Sequence, residues 1–343
     1  MKKYSFKNDY SEGCHPNILE ALVRTNLNQQ NGYGYDDYSN DARELIRKKA
    51  NIPEADIHFV SGGTQANLLI ISSILRPHES VISAETGHIF TNETGAIEAT
   101  GHKIHGVSTE DGKLKTQHIQ SVLDSHTNKP HQLKQKLVYI SNSTEIGTVY
   151  KRQELKELYG FCQANDLYLF LDGARLGQAL TSEINDLTLE DIANFTDVFY
   201  LGGTKNGALL GEAIVIANDK LKVDFGFHIK QKGAMLAKGR LLGIQFLELM
   251  KEDLYFDLAK HSNAQAMKIK AALHQKGFQF LSDTFTNQIF PILNHAQIEK
   301  LSEKFDFYVW KKISETNSAI RLITSWATSD EVVEDFINEI ESL

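Results

Sequence analysis

Short apolar segments alternate with helical patterns between about residues 57 and 218. Several of these segments are apolar at every position, which is typical of strands that are covered on both faces of a sheet. The predicted strands cover residues 57–60, 80–83, 103–107, 136–140, 167–171, 197–201 and 213–216. Between them, apolar residues recur at helical spacing, for example over residues 153–165. The alternation predicts an α/β domain with a mostly parallel seven-stranded sheet.

The pattern changes after residue 230, where longer helices replace the alternation. Apolar positions within residues 242–250 share one helical face. Further elements are predicted as a helix over 264–275, strands over 288–293, 307–310 and 319–324, and a final helix from Ser329. Thr328-x-x-Glu331 is a possible capping box for that last helix. This mixture predicts a smaller α+β domain.

The chain is therefore expected to have three parts: an N-terminal arm at residues 1–15, a large α/β domain at 16–245 and a small C-terminal α+β domain at 246–343. No repeat, low-complexity tract or Gly/Ser-rich linker separates them, and the 343 residues include only 5 prolines. The join between the two domains is expected to be helical.

Composition narrows the class of partner. The formal net charge is −8 at pH 7, which argues against a general binder of nucleic acids or anionic membranes. Cys14 and Cys162 are the two cysteines and have no metal-ligand spacing, so neither a disulfide framework nor a structural zinc site is expected. No apolar run approaches the ~18 residues of a membrane span, and no signal-peptide core is visible. The pattern favours a cytoplasmic protein with a small-molecule partner.

Three unusual segments follow the ends of predicted strands. They are Ser61-Gly62-Gly63-Thr64, Asp172-Gly173-Ala174-Arg175 and Gly202-Gly203-Thr204-Lys205. In parallel α/β sheets, ligands bind at the carboxyl ends of the strands. An acid, a lysine and a glycine-rich turn should therefore converge at one edge of the sheet.

The glycine-rich turn leads from a strand into an apolar helix. The amides of Gly63 and Thr64 can point at an anion at the positive end of the helix dipole. The segment matches neither GxGxxG nor GxxxxGK[ST], which favours a single phosphate over a dinucleotide or a nucleoside triphosphate. A tight turn with Thr64 as the N-cap of the helix is the equally good alternative.

Lys205 stands alone between two apolar runs. An amine in apolar surroundings has a lowered pKa and becomes a nucleophile toward carbonyls, which suits a Schiff base. A solvated or phosphate-binding lysine is the alternative. Asp172 ends an apolar strand and needs a cationic partner. That partner is either Arg175 or a protonated pyridine nitrogen, as in enzymes that use pyridoxal phosphate as an electron sink.

Taken together, the Gly62-to-Asn67 turn, the Asp172-to-Arg175 segment and the glycine-flanked Lys205 resemble the low-specificity L-threonine aldolases. These are members of the β-eliminating lyase group of fold-type-I pyridoxal phosphate enzymes. The resemblance extends from Asn8-Asp9 to the segment 320–324. It implies a fold-type-I large domain, pyridoxal 5′-phosphate as the cofactor, and a carbon-carbon lyase. The implied reaction is retro-aldol cleavage of L-threonine, L-allo-threonine or related β-hydroxy-α-amino acids to glycine and an aldehyde.

The resemblance also implies roles for individual residues. For the cofactor these are a Schiff base on Lys205, Asp172 at the pyridine nitrogen, the amides of Gly63 and Thr64 with the Thr204 hydroxyl at the phosphate, and His88 on the ring. The resemblance further implies that Arg175 and Arg321 bind the substrate carboxylate, and that Arg175 also contacts the cofactor. Asn8 and Tyr35 are further candidates for substrate binding. An exposed turn for His88 and a solvated edge strand for Arg321 are the plainer alternatives.

One position departs from the family pattern. Threonine aldolases typically have a histidine near the substrate hydroxyl where this chain has Glu145. A buried glutamate with a raised pKa could serve as the general base. A structural acid held in a salt bridge is an equally good alternative. The base is thus Glu145, His88 or a water held by them. The same scaffold would also suit β-elimination or transamination, or a non-catalytic protein that binds the cofactor.

A second copy of the chain is expected to complete the site, because enzymes of this fold commonly share sites in a homodimer or homotetramer. Tyr33, Tyr35 and the basic segment 230–240 are candidates for that contribution, with Lys238 or Arg240 reaching the phosphate. For any single lysine of the segment, a solvated charge run is the plainer alternative.

Overall fold

The computed structural model describes residues 3–343. Its strands are β1 (Tyr4–Ser5), β2 (Asp56–Val60), β3 (Glu79–Ala84), β4 (Ile104–Val107), β5 (Lys134–Ser141), β6 (Tyr168–Asp172), β7 (Val198–Gly202), β8 (Glu212–Ile216), β9 (Gln279–Phe280), β10 (Gln288–Ile289), β11 (Pro291–Asn294), β12 (Phe305–Asp306), β13 (Tyr308–Lys312) and β14 (Asn317–Ile323). Its α-helices are α1 (Pro16–Thr25), α2 (Asp37–Ala50), α3 (Gly63–Ile74), α4 (His88–Thr91), α5 (Thr116–Asp124), α6 (Arg152–Ala164), α7 (Leu176–Leu180), α8 (Leu189–Asn194), α9 (Phe225–Gln231), α10 (Arg240–Met250), α11 (Leu254–Gln275), α12 (His295–Ser302) and α13 (Asp330–Glu341).

A seven-stranded sheet forms the centre of the large domain, in the order β2-β8-β7-β6-β5-β3-β4. The six other strands run in the same direction, and β8 alone is antiparallel to its neighbours β2 and β7. All seven predicted strands are present, which confirms the mostly parallel sheet. The carboxyl ends of the parallel strands lie at one edge, and β8 begins at that same edge.

Helices cover both faces of this sheet, and for this reason its strands are apolar at consecutive positions. One face packs against α1, α2, α6, α8 and α10, with Ile46, Leu155 and Phe246 among its buried side chains. The other face packs against α3 and α9, with Leu69 and Phe225 in its core. Each fully buried side chain of this size stabilises the fold by about 1.5–3 kcal/mol relative to exposure.

A smaller antiparallel sheet follows, in the order β10-β14-β11-β9 with β13 also paired to β14. Helix α11 joins the two cores: Tyr255 and Leu258 pack in the large one, and Ile269 and Leu273 in the small one. Strand β1 of the arm pairs in parallel with β12. The boundaries drawn from the sequence stay a prediction, and residues 1 and 2 of the arm lie outside the described part.

Two elements differ in extent from their predictions. The helix predicted over 264–275 is the second half of α11, which begins at Leu254. The strand predicted over 288–293 is two strands, β10 and β11, on either side of Phe290. Both pair with β14 in one continuous antiparallel register, so the break at Phe290 interrupts the strand without shifting its pairing.

The predicted capping box of the last helix is wrong. Ser329 is the N-cap of α13, and its hydroxyl accepts a hydrogen bond from the backbone amide of Val332. Thr328 instead accepts a hydrogen bond from the amide of Ser325, at 2.8 Å. Across the part of the chain that the structure describes, no helix is long and apolar enough to span a membrane.

Candidate active site

A cavity of about 260 Å³ lies at the carboxyl edge of the large sheet. Eight of the residues predicted for the site line it: Gly63, Thr64, His88, Glu145, Asp172, Arg175, Thr204 and Lys205. The convergence predicted from the strand ends is therefore present. Arg321, Asn8 and Tyr35 are not part of the lining.

Lys205 lies in the turn between β7 and β8. The turn is held by the amides of Gly203 and Thr204, which donate to the carbonyl of Gly211 at 3.0 and 3.1 Å. The Thr204 hydroxyl accepts from the Gly211 amide at 2.9 Å and lies beside the carboxylate of Glu212 as a donor. Burial, and then the positive charge of Arg175, lower the pKa of Lys205. The direction agrees with the expected nucleophilic amine.

Asp172 is a buried carboxylate with four hydrogen-bond donors. The hydroxyls of Tyr139 and Tyr200 each donate to one of its oxygens, and Asn67 Nδ2 and the amide of Ala174 add bonds of 3.2 and 3.0 Å. Burial alone would raise the pKa of Asp172, but nearby His88 and the tyrosine hydroxyls outweigh it, and the pKa is lowered. Asp172 is thus suited to remain ionised opposite a protonated ring nitrogen.

The backbone after Asp172 passes very close to β7. A Cβ at Gly173 would lie 1.7 Å from the carbonyl oxygen of Tyr200, so only glycine fits there. The Gly202 amide donates to the Gly173 carbonyl at 3.0 Å. This contact holds the segment that carries Asp172 against the strand that leads to Lys205.

The glycine-rich turn begins helix α3 with no side-chain cap. Gly62 is the N-cap, and no side chain bonds the first amides of the helix, which rules out the alternative with Thr64 as the cap. The first-turn amides of Gly63 and Thr64 therefore face the cavity at the positive end of a 12-residue helix. Such a terminus binds a phosphate or carboxylate.

His88 begins α4 and has a buried acid behind its ring. Its Nδ1 lies 2.9 Å from Oε1 of Glu93, whose side chain is fully buried. A carboxylate can only accept, so Nδ1 carries the proton and Nε2 is left to face a ligand. Asn67 Nδ2 donates to the same Glu93 oxygen at 2.7 Å and so connects the His88 pair to Asp172.

Glu145 faces the cavity beside His88. Its Oε1 accepts from the His88 amide at 2.9 Å and from the Ser141 hydroxyl at 2.7 Å. No arginine or lysine forms an ion pair with it within residues 3–343, so the salt-bridged alternative is wrong. Burial, with a smaller contribution from the charge of Asp172, raises the pKa of Glu145. A buried carboxylate with a raised pKa and no cationic partner is suited to act as a general base.

Arg175 pairs with Asp9 of the N-terminal arm, not with Asp172. Its Nε and Nη2 donate to the two carboxylate oxygens at 2.7 and 3.0 Å, and Asn287 Nδ2 adds a third bond to Asp9 at 2.9 Å. Burial opposes ionisation of both groups, but their attraction lowers the pKa of Asp9 and raises that of Arg175. The pair connects the arm to the wall of the cavity and leaves Arg175 Nη1 for a ligand.

Arg321 lies on β14 between two aromatic rings. Its guanidinium carbon is 4.5 Å from the ring centre of Trp310 and 5.4 Å from that of Tyr308. Burial and the nearby charge of Arg175 lower its pKa to about 10, and its buried Nε has no hydrogen-bond partner in the described chain. The solvated edge-strand alternative is therefore wrong.

The other predicted contacts lie elsewhere in a single chain. Asn8 Oδ1 accepts from the Tyr10 amide and the Ser11 hydroxyl, while Tyr35 lines a second cavity. Arg240 donates to backbone carbonyls at the end of α1, and Lys238 is exposed. Their roles stay predictions.

Several site residues were not predicted. Tyr139 and Tyr200 lie on predicted strands, where a polar hydroxyl within an apolar run was the available signal. Glu93 lies on a loop segment without a distinguishing pattern, and Asn67 ends the glycine-rich motif, in which no role was predicted for its side chain. Glu212 precedes a predicted strand, and its place at the cavity depends on the antiparallel direction of β8.

The cavity combines an amine with a lowered pKa, an ionised buried acid, an anion-binding helix end and Arg175, and the charge of Arg175 also acts on Arg321. In residues 3–343, no group of three or more His, Cys, Asp or Glu side chains could hold a metal ion. The donor set suits a ligand with an aldehyde, a basic ring nitrogen and a phosphate, together with an amino acid carboxylate.

Comparisons with known proteins agree with this chemistry. The model of the β-eliminating lyase family matches residues 9–296. A low specificity L-threonine aldolase of a Pseudomonas species is 30% identical over 98% of this chain and 97% of its own length. A solved structure of Leishmania major threonine aldolase is 48% identical, covers 99% of both chains and has a TM-score of 0.97. Thermus thermophilus aspartate aminotransferase, at 15% identity and a TM-score of 0.73, shares the fold.

Proposed function

The chain belongs to the β-eliminating lyase family, and on that basis we propose that it is a pyridoxal phosphate-dependent aldolase. Its substrates are L-threonine, L-allo-threonine or related β-hydroxy-α-amino acids, and its products are glycine and an aldehyde. The observation that carries the proposal is one cavity that contains Lys205, Asp172 and the uncapped start of α3.

Pyridoxal phosphate, when bound, supplies an electron sink that stabilises negative charge at the substrate Cα. In this chain, Lys205 Nζ would hold it covalently, and Asp172 would face its ring nitrogen. The amides of Gly63 and Thr64, with the Thr204 hydroxyl, would bind the phosphate. His88 would contact the ring, with Glu93 holding the orientation of the imidazole.

Two arginines would orient the substrate carboxylate. Arg175 has one free terminal nitrogen, because Asp9 accepts from the other two donor groups. Arg321 is held between aromatic rings and has an unpartnered Nε. A planar guanidinium binds a carboxylate with two parallel hydrogen bonds, so that either arginine can fix the substrate in one direction.

Removal of the substrate hydroxyl proton needs a base in the cavity, and Glu145 and His88 both line it. The carboxylate of Glu145, Nε2 of His88 or a water held between them would take it. Because the pKa of Glu145 is raised, its carboxylate binds a proton more readily than an exposed glutamate does. Glu145 can therefore accept this proton and later return it. Loss of the proton allows the Cα–Cβ bond to break and the aldehyde to leave.

The decisive test is Lys205→Ala. Wild-type protein treated with borohydride in the presence of the cofactor should carry a reduced adduct on Lys205, and the variant should carry none. Lys311→Ala removes an exposed lysine and should leave the adduct intact. A full yield of adduct in Lys205→Ala would place the covalent bond elsewhere.

The reaction itself is tested by its products. L-threonine and L-allo-threonine should each be offered, with glycine and acetaldehyde measured in equal amounts. A keto acid with ammonia would indicate β-elimination, and a keto acid with an aminated cofactor would indicate transamination. If protein that holds the cofactor turns over no amino acid, the result would instead support a non-catalytic protein that binds the cofactor.

We also propose that a second copy completes the site in a cytoplasmic homodimer or homotetramer. Tyr35 at its exposed cavity and Lys238 or Arg240 are the residues proposed to reach the partner's site. Sedimentation of the intact protein tests this assembly. A monomer with full activity would contradict a shared site.

A further inference from the structure

A buried glutamate that the proposed mechanism does not use lies beside the lysine turn. Glu212 begins β8 and is 3% exposed. It is opposite Val60 of β2 on one side and Gly202 of β7 on the other. It therefore stands between the strand that leads to the glycine-rich turn and the strand that leads to Lys205, and it lines the same cavity.

The side chain of Glu212 lies on the same face of the sheet as Asp172. Side chains of a strand alternate between faces, so that Glu212 shares a face with Ile214. Ile214 packs in one cluster with Tyr200 and Phe170. Asp172 follows Phe170 by two positions and shares that face. Both carboxylates therefore approach the cavity from the same layer.

Glu212 is less compensated than Asp172 and Asp9, the other two carboxylates that act on Lys205. Its Oε2 accepts from the amide of Gly203 at 3.0 Å, and the Thr204 hydroxyl is a second, neutral donor beside it. Asp172 has four donors and Asp9 has three. A buried carboxylate with only neutral donors needs a cation nearby or keeps its proton.

Among the cations of the cavity, Lys205 likewise lacks a charged partner in direct contact. Its Nζ has neither a hydrogen bond nor an ion pair within 4.0 Å in residues 3–343. The charges that act on it most strongly are those of Arg175, Asp9, Asp172 and Glu212. Asp9 is committed to Arg175 and Asp172 to its four donors, which leaves Glu212 as the carboxylate free to respond to Lys205.

We propose that Glu212 and Lys205 form an electrostatically coupled pair at this cavity, in which the ionisation of Glu212 sets the protonation of Lys205 Nζ. Ionised Glu212 favours the ammonium form of Lys205, and protonated Glu212 allows Nζ to become a free amine. Glu212 acts through Lys205 and is therefore a positioning residue.

The direction in which the pKa of each partner is shifted agrees with this pairing. Burial raises the pKa of Glu212 to about 8, although the charge of Lys205 lowers it in part. Burial and Arg175 lower the pKa of Lys205, and Glu212 is among the groups that oppose them. The titratable groups that face the pair from other elements are Asp9, Asp172, Arg175, Tyr200 and Tyr255.

The test measures Lys205 in the full-length chain freed of cofactor. The protein is acetylated with trace acetic anhydride between pH 6 and 11, and mass spectrometry follows the labelling of Lys205. In Glu212→Gln, which retains an acceptor for the Gly203 amide, the midpoint of Lys205 labelling should fall by about one pH unit, because an ionised carboxylate near an amine raises the pKa of that amine, by about 1–3 units at close range. Below the midpoint, labelling at a fixed pH should then rise about tenfold.

Two matched variants make the result specific. Glu212→Asp keeps the charge and should keep a midpoint close to that of the wild type. Glu145→Gln removes a carboxylate of the same cavity that is not among the charges acting most strongly on Lys205, and should shift the midpoint much less than Glu212→Gln. An unchanged midpoint in Glu212→Gln, or an equal shift in Glu145→Gln, overturns the pairing. Glycine release from the wild type is measured separately, so failure of the pairing is distinguishable from failure of the proposed reaction.

Discussion

Asp9→Asn should destabilise the protein strongly although the substitution changes little in volume. Asp9 is fully buried and accepts two hydrogen bonds from Arg175 and one from Asn287. Asparagine keeps one oxygen but places an amide NH₂ group against the guanidinium donors. Arg175, which is 12% exposed at its side chain, would then be a buried charge without a counter-ion.

The expected loss follows from that burial. Removing one partner of a buried ion pair costs about 3–5 kcal/mol, because the remaining charge stays out of water without compensation. A surface pair is worth about 0–1 kcal/mol. Glu315→Gln is the matched control: Glu315 pairs with Lys312 at 2.8 Å with 92% of its side chain exposed, and its loss should change stability by less than about 0.5 kcal/mol.

The pH dependence has a definite sign. The pKa of Asp9 is lowered from its ordinary value of 3.8, so its carboxylate stabilises the folded state above that value. This contribution is lost as the pH falls through the lowered folded pKa. The difference in stability between wild type and Asp9→Asn should therefore be full at pH 6–8 and shrink on acidification below about pH 4.

The assay is urea unfolding followed by far-UV circular dichroism, with all variants under the same cofactor conditions. Asp9→Asn combined with Arg175→Met should be more stable than Asp9→Asn alone, since the unpaired charge is then gone. A loss below about 1 kcal/mol in Asp9→Asn, or additive effects in the double variant, would refute the view that this pair holds the arm against the site.

Three further expectations test other parts of the site. Gly173→Ala should lower the free energy of unfolding by more than about 3 kcal/mol, because its Cβ would meet the backbone of Tyr200. The control Gly160→Ala adds a Cβ with no neighbouring atom within 4 Å and should not destabilise the protein. Thermal unfolding compares the two variants, and equal melting temperatures would contradict the close approach. Glu145→Gln should lower kcat by about 10²–10⁴ and abolish the rise of activity with pH through the raised Glu145 pKa, measured as aldehyde release; an unchanged profile would move the base to another group. Tyr200→Phe removes a donor to Asp172 and should weaken cofactor binding about tenfold, measured by absorbance titration against wild type; an unchanged dissociation constant would contradict that support.

Much of the site could be predicted from the sequence because its signals are local. A run of apolar residues identifies a buried strand by itself, and the residue after the run lies at the strand end. Asp172, Lys205 and the Gly63 turn each follow such a run, and a parallel sheet brings strand ends to one edge. Eight of the eleven site residues named from these segments and from the family resemblance line one cavity.

The partners of these residues could not be predicted in the same way. Asp9 and Arg175 are 166 positions apart, and no property of either segment names the other. The sequence allowed Asp172 as the partner of Arg175, because the two are near in the chain. In the fold, the arm pairs with β12 and then passes to the wall of the cavity, where Asp9 meets Arg175.

The sequence alone determined the order of the seven strands along the chain, their burial on both faces and the polar residues at their ends, because each of these depends on neighbouring residues. The tertiary structure decided which charges meet. Glu212 shows the difference: its segment looks like the start of an ordinary apolar strand, and it reaches the cavity because β8 alone runs antiparallel. Strand direction depends on packing against residues distant in the chain, so the position of that carboxylate beside Lys205 is a property of the fold.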